Sequence, residues 1–323
     1  MSANKLIGID LGGTTTKMAF LKMSGEIINK WSIKTDKSDH GSHIVPNIIK
    51  SINNEITKTN HTKQEFIGIG MGTPGTVDRK KGTVYGAYNL NWATKQPVKA
   101  QIEKGIGLPF TLDNDANVAG LGEFRRGAGS EDQDIVFVTL GTGVGGGIIT
   151  EGHLLHGCNG DAGEIGHITV KPDGYMCTCG KRGCLEQYAS ATGVVHIARD
   201  MAKKFTTGKS RLKDLEDKHQ KVTSKIVFYL ADNGDILANQ VVDRVCFYLG
   251  LALADVANVF NPSNIIIGGG VSNAGNTLLQ PTTRYFQENA FKPVRDSTKV
   301  QLAQLGNDAG AIGAGSLALK FKK

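Results

Sequence analysis

The chain has 323 residues, enough to bury a large core in two domains, and 40% hydrophobic content with 42 glycines marks a folded, glycine-rich α/β protein, excluding a disordered one. The formal net charge is +7, yet lysines pair only at Lys80–Lys81, Lys203–Lys204 and Lys322–Lys323, so no basic block marks a nucleic-acid surface and no nucleic-acid partner is expected. The opening MSANKLIGIDLGG lacks a basic stretch before a long apolar run, no segment reaches the about 18 apolar residues of a membrane span, and five cysteines, three of them clustered, fit a reducing compartment; a cytoplasmic protein with no membrane partner is the expectation.

Residues 5 to 22, KLIGIDLGGTTTKMAFLK, read as strand, Gly-Gly-Thr turn, strand. Amides and hydroxyls of Gly12, Gly13, Thr14 and Thr15 can cradle phosphate oxygens, with Lys17 alongside, and Asp10 can hold Mg²⁺ through water. An ordinary hairpin would look the same. The pattern recurs at 135 to 149, IVFVTLGTGVGGGII, where Gly141, Thr142 and Gly143 form the turn. Two such hairpins imply a duplicated fold that meets a nucleotide from both halves. Gly141-x-Gly143-x-x-Gly146 and Gly70-x-Gly72-x-x-Gly75 satisfy a dinucleotide fingerprint, but neither leads straight into a helix, and no G-x-x-x-x-G-K-[ST] occurs.

Ile44, Val45, Ile48, Ile49, Ile52 and Ile56 recur at helical spacing. A buried strand, Phe66 to Met71, ends in the turn Gly72-Thr73-Pro74-Gly75. Next, PFTLDNDANVAGLGEFRRG runs from strand into helix through Asp113-Asn114-Asp115. Asn114 or Asp115 can cap that helix, or Asp115 can act as a general base toward an attacking hydroxyl. Asp113 belongs to the strand end and is the weaker candidate.

From Gly163 to Glu186 the chain reads GEIGHITVKPDGYMCTCGKRGCLE, placing His167, Cys177, Cys179 and Cys184 as H-x9-C-x-C-x4-C. Four N/S ligands on a short glycine-bearing loop suit a tetrahedral Zn²⁺ of structural type. A disulfide, or three merely buried thiols, are the competing readings. Glu164 and Glu186 bracket the cluster and are not needed to complete it. Beyond it, 188–205 and 226–260 read as helical, the latter with a long apolar stripe. A strand from Asn264 ends in a bare glycine turn at Gly269 and Gly270, and Asp308 to Leu319 reads as a small-residue helix able to pack back on the first domain.

The motif G-H…C-x-C-G-x-x-G-C-x-E resembles that of the ROK family (repressor, open reading frame, kinase) of sugar kinases, and the stretch around Asp115 is similar to its N-D-A-N-x-x-A-L-G-E, with Gly120 where the family has alanine. The resemblance covers nearly the whole chain. It implies an α/β, two-domain actin-like ATPase (ribonuclease H-like) fold with an interdomain active-site cleft. We place the small domain at 1–117 with the 307–323 helix packing back on it, and the large domain with the zinc loop at 118–306. The resemblance further implies ATP-dependent phosphorylation of glucose at its C6 hydroxyl, with Asp115 as base. Asn114, Glu164, His167, Glu186 and the Gly72 turn would hold the sugar, with Asn91-Trp92 in its sugar-facing loop. Gly269 and Gly270 would let an adenosine approach. ATP, Mg²⁺ and structural Zn²⁺ are the implied cofactors, and homodimers or higher homo-oligomers the implied assembly. Kinases for fructose, mannose or N-acetylmannosamine, polyphosphate as donor, and a sugar-responsive repressor stand as alternatives. The repressors of the family carry a winged helix-turn-helix before the kinase-like body, for which a hairpin beginning by residue 5 leaves no room.

Overall fold

The computed structural model describes residues 3–322. Two compact units emerge, the first built from residues as far as Glu131 together with His153–Ala162 and 304 onward, the second from Asp132–Gly152 and Gly163–Ala303.

In the first unit β1 (Lys5–Leu11), β2 (Thr15–Lys22), β3 (Ile27–Lys34), β4 (Phe66–Thr73) and, after a small ribbon of β5 (Thr76–Asp78) and β6 (Thr83–Tyr85), β7 (Phe110–Asn114) form a sheet of order β3–β2–β1–β4–β7. The β1–β2–β3 meander is antiparallel, and β4 and β7 join in parallel. Parallel strands are covered on both faces, which is why all eight residues of β4 are buried. One face packs Ile7, Ile9, Met18 and Phe20 against α1 (Ile44–Lys58) and α2 (Val98–Ile106) through Ile48, Ile52 and Ile102. Toward the other lie Leu6, Ala19, Leu21 and Ile67, covered by the small-residue helix α8 (Ala309–Leu317). The approach is close enough that a Cβ on Gly70 would lie 1.7 Å from the Ala314 carbonyl oxygen. Trp92, expected near the sugar, is instead buried in this core with its indole N–H donating to the Gly41 carbonyl at 3.1 Å.

The helix α3 (Asp115–Arg126) also packs on α8. A boundary at residue 117 would cut α3 in two, so the first unit runs on past it. Glu123 of α3 has no solvent exposure. Its carboxylate accepts from the backbone amides of Ala128 (2.9 Å), Gln304 (3.1 Å) and Leu305 (2.8 Å). One side chain thereby holds the segment leading out of the unit and the segment that brings the chain back.

The second unit repeats the plan. There β8 (Ile135–Leu140) and β9 (Val144–Thr150) form an antiparallel hairpin, and β10 (Asn264–Gly268) and β11 (Lys299–Leu302) extend it in parallel, giving β9–β8–β10–β11. Its helices are α4 (Ala191–Lys204), α5 (Ser224–Asp232), α6 (Ile236–Phe260) and α7 (Asn276–Asn289). The stretch 226–260, expected to be mainly helical, is two helices, and the Asp235 side chain caps the second, α6, by accepting from the Ala238 amide. By length and composition α6 is long and apolar enough to cross a membrane, unlike the sequence expectation, but most of that stretch is buried here against α4, α5 and α7.

Gly70→Ala is expected to cost roughly 1–3 kcal/mol of stability or more, read as a lower urea midpoint, since the added methyl must displace α8. A midpoint equal to wild type would show that α8 is not held against β4.

Candidate active site

In the first unit the β1–β2 turn is braced from outside. The Thr35 hydroxyl donates to the Gly12 carbonyl at 2.7 Å, and its amide donates to the Thr14 carbonyl at 3.0 Å. Gly12 and Thr15 close the turn, with the Gly12 amide donating to the Thr15 carbonyl at 3.2 Å. Gly13 lies alongside Asn89. Asp10, next to the last residue of β1, stands opposite Lys17 in the ladder, with Lys17 Nζ at 3.9 Å from its carboxylate and donating to Asn307 Oδ1 at 3.0 Å. Burial raises the Asp10 carboxyl above the usual aspartate value, Lys17 works against that, and the charge of Asp115 adds to it. Asp10, Lys17 and Asp115 are thus gathered on the first unit.

At the β7–α3 corner the two readings of Asn114 and Asp115 separate. Asn114 is the N-cap, its Oδ1 accepting from the Ala116 amide at 2.9 Å. Asp115 sits in the first turn, where the positive end of the helix favours a carboxylate, and keeps a solvent-facing edge. Desolvation by the surrounding protein nevertheless holds its carboxyl above the usual aspartate value, partly offset by the Ala116 amide. Asp113 is committed elsewhere. It is buried, accepts from the Asn114 amide (2.8 Å) and from Asn117 Nδ2 (3.0 Å), and pairs with His156 Nε2 at 2.7 Å. Burial pushes this carboxyl up, but His156 and the hydrogen bonds prevail and hold it below the usual range. Gly72 pairs with Asp113 across the β4–β7 ladder, and its missing side chain leaves room for Val118 of α3.

In the second unit the β8–β9 turn faces the start of α4. The Ala191 amide donates to the Gly141 carbonyl at 2.8 Å, and the Thr192 hydroxyl donates to the Thr142 carbonyl at 3.0 Å. The Gly141 amide closes the turn on the Gly143 carbonyl at 3.0 Å, and the exposed Thr142 side chain at its tip can meet an anion. Gly268 pairs with Thr139, which brings the next turn alongside. Gly269 there has φ +84°, and a Cβ on it would lie 2.6 Å from the Leu140 amide nitrogen, while the space beside Gly270 is open.

The four sequence-predicted metal ligands converge. One ligand atom from each of His167, Cys177, Cys179 and Cys184 lies within 4.8 Å of every other. The Cys179 and Cys184 sulfurs are 3.6 Å apart, and Cys177 Sγ is 3.8 Å from His167 Nδ1. A tetrahedral ion with bonds of about 2.3 Å separates sulfurs by about 3.8 Å, so the set fits Zn²⁺. A disulfide needs about 2.05 Å, and all five cysteines are free. Burial pushes the Cys177 thiol up to about 12, a setting in which a dication is what would make it a thiolate at neutral pH. The other ring nitrogen of His167, Nε2, lies 3.8 Å from Glu164. Glu186 Oε1 is 3.0 Å from Cys177 Sγ, and its Oε2 would be 2.7 Å from a Cβ on Gly143. Glu164, His167 and Glu186 therefore stand around one loop, with Glu186 also against the phosphate-type turn. His156, Thr35 and Asn307, which brace these groups, carry no local sequence signal.

The ROK family profile matches residues 6–321. The chain is 48% identical to a glucokinase of Halalkalibacterium halodurans over 98% of this chain and 96% of that one. Among solved structures it is similar to a ROK family glucokinase of Streptomyces griseus in complex with glucose and AMPPNP, at 35% identity and TM-score 0.74 over 98% of this chain and 99% of that one. It is also similar to the ROK hexokinase of Thermus thermophilus, at 28% identity and TM-score 0.81 over 98% and 99% of the two chains. The duplicated sheets are those of a two-domain actin-like ATPase fold. By the match along nearly its whole length, and by the convergence of the histidine and cysteines of its signature loop, the chain belongs to the ROK family.

Proposed function

We propose that the chain phosphorylates glucose at its C6 hydroxyl with ATP, releasing glucose 6-phosphate and ADP. The observation that carries this reading is Asp115, an accessible carboxylate that its surroundings make more basic, placed on the helix N-terminus beside a phosphate-type hairpin. The similarity to a glucokinase at 48% identity supports glucose as the sugar, and the similarity to a ROK glucokinase bound to glucose and AMPPNP supports ATP as the donor.

The chemistry asks the protein mainly for positioning and charge stabilisation. Asp115 takes the proton from O6 as that oxygen attacks the γ-phosphorus, and the bond from phosphorus to the bridging oxygen breaks, leaving ADP. Glu164, His167 and Glu186 accept from or donate to ring hydroxyls, with the Asn114 amide nitrogen available because its oxygen is occupied by the cap. Turns 12–15 and 141–143 offer amides to phosphate oxygens, Lys17 adds positive charge, and the open space at Gly270 receives the adenosine. Asp10 would hold Mg²⁺, which when bound neutralises phosphate charge. The histidine and three cysteines form a closed ligand set, so bound Zn²⁺ would serve structure, fixing the loop that carries His167 and Glu186.

Four outcomes are expected. ADP release with Mg-ATP across a panel of hexoses should be highest on glucose, and Asp115→Asn should lower kcat about 10²–10⁴-fold while glucose still binds; normal turnover in that variant ends the assignment. A base must be deprotonated, and the Asp115 carboxyl is raised above its ordinary 3.8. The acid limb of kcat/KM should accordingly lie above that value, activity disappearing as pH falls through it; a limb at or below 3.8 would count against Asp115. Cys177→Ser should release stoichiometric zinc, measured by elemental analysis, and raise the KM for glucose, whereas full activity without bound metal would refute a structural ion.

A further inference from the structure

Resting on the proposed role of Asp115 as the base, we infer that His156 is a positioning residue for the transfer: its imidazole holds the Asp113 carboxylate, and that carboxylate holds the corner on which Asn114 and Asp115 stand. Asp113 is the last residue but one of β7 and is only 3% exposed. Its Oδ1 accepts from the Asn114 amide at 2.8 Å and from Asn117 Nδ2 at 3.0 Å. One oxygen thus ties the strand end to the first turn of α3, and Asp115 lies between the two donors in the chain. Asn117 is turned to serve this link, although that leaves its own Oδ1 buried with no donor among the described residues. Turned the other way, the amide would set its oxygen against the carboxylate.

His156 supplies what the second oxygen needs. Its Nε2 stands 2.7 Å from Asp113 Oδ2, and since that carboxyl is held ionised, Nε2 is the donor. A short closed loop brings the ring there, with the Ala162 amide donating to the His156 carbonyl at 3.2 Å. No other donor reaches Oδ2 among the described residues. Without the imidazole, a buried carboxylate must take a proton or turn toward another group. Either change weakens the grip on the Asn114 amide, because a charged oxygen holds an amide more strongly than a neutral one. The corner loosens, Asp115 loses its fixed place against the attacking hydroxyl, and transfer slows although the base itself is intact.

The test is steady-state kinetics of the full chain with glucose and Mg-ATP, alongside urea midpoints. His156→Phe should lower kcat about 10²-fold, the effect of misplacing a reacting group by about 1 Å, while the KM for ATP stays at the wild-type value. His156→Gln, which returns an N–H close to the place of Nε2, should recover most of the loss. A merely structural histidine would lower the urea midpoint of His156→Phe and leave the kcat of the folded protein unchanged. That result overturns the inference and leaves Asp115 standing as the base. Equal losses in the Phe and Gln variants overturn it as well, since the donated hydrogen bond would then not matter. Wild-type protein with no turnover on any hexose removes the functional reading and this inference together. Should His156→Phe fail to fold, Asp113→Asn, which keeps the shape of the carboxylate, reads the same link from the other side. Its kcat should fall with the KM for ATP unchanged, and a wild-type kcat there refutes the inference.

Discussion

The first unit depends on the buried carboxylate of Glu123. A carboxyl group without solvent is tolerated only when its oxygens are hydrogen-bonded, and here the donors are backbone amides from two places far apart in the chain. Meeting that requirement brings residues 304–305 to the end of α3, which starts α8 in the place where it covers the second face of the sheet. With α8 seated, Asn307 reaches Lys17 and the β1–β2 turn acquires its charge pattern. A residue outside the chemistry thus fixes where the chemistry can stand.

The second unit uses the same hairpin-plus-parallel-strand plan for another end. Its turn rests on a helix N-terminus through carbonyls, and its sugar ligand candidate rests on a cysteine loop. Three groups with separate tasks are consequently built on one short run of chain, from Cys177 to Thr192. Economy of this kind has a cost in tolerance: Gly143 has no room for a side chain because Glu186 occupies it.

The sequence was legible where the determinants were local. Both glycine turns, the strand–helix corner at Asp115 and the H-x9-C-x-C-x4-C set each lie within about 25 residues, and each appears where periodicity and spacing put it. What escaped were partners supplied from a distance. His156 meets Asp113 from 43 residues away, Asn307 meets Lys17 from 290, and Glu123 meets Leu305 from 182. Nothing in the composition around any of these residues announces its partner. Trp92 belongs with these: the resemblance put Asn91-Trp92 in a sugar-facing loop, whereas Gly41, distant in sequence, gives its indole a carbonyl and closes it into the core. The boundary expected at 117 failed because α3 contributes to the packing of α8, a fact of tertiary contact.

The late arrival of α8 has a consequence for how the chain is made. The ribosome delivers residues in order, and the face formed by Leu6, Ala19, Leu21 and Ile67 is complete long before Ala311, Ile312 and Ala318 exist to cover it. At ordinary elongation speeds the interval is roughly 12–50 s. During that time a newly made sheet shows bare apolar surface to its surroundings, and the whole second unit is translated in the meantime. The second face of the first sheet is therefore closed only once α8 has been made and can pack on it.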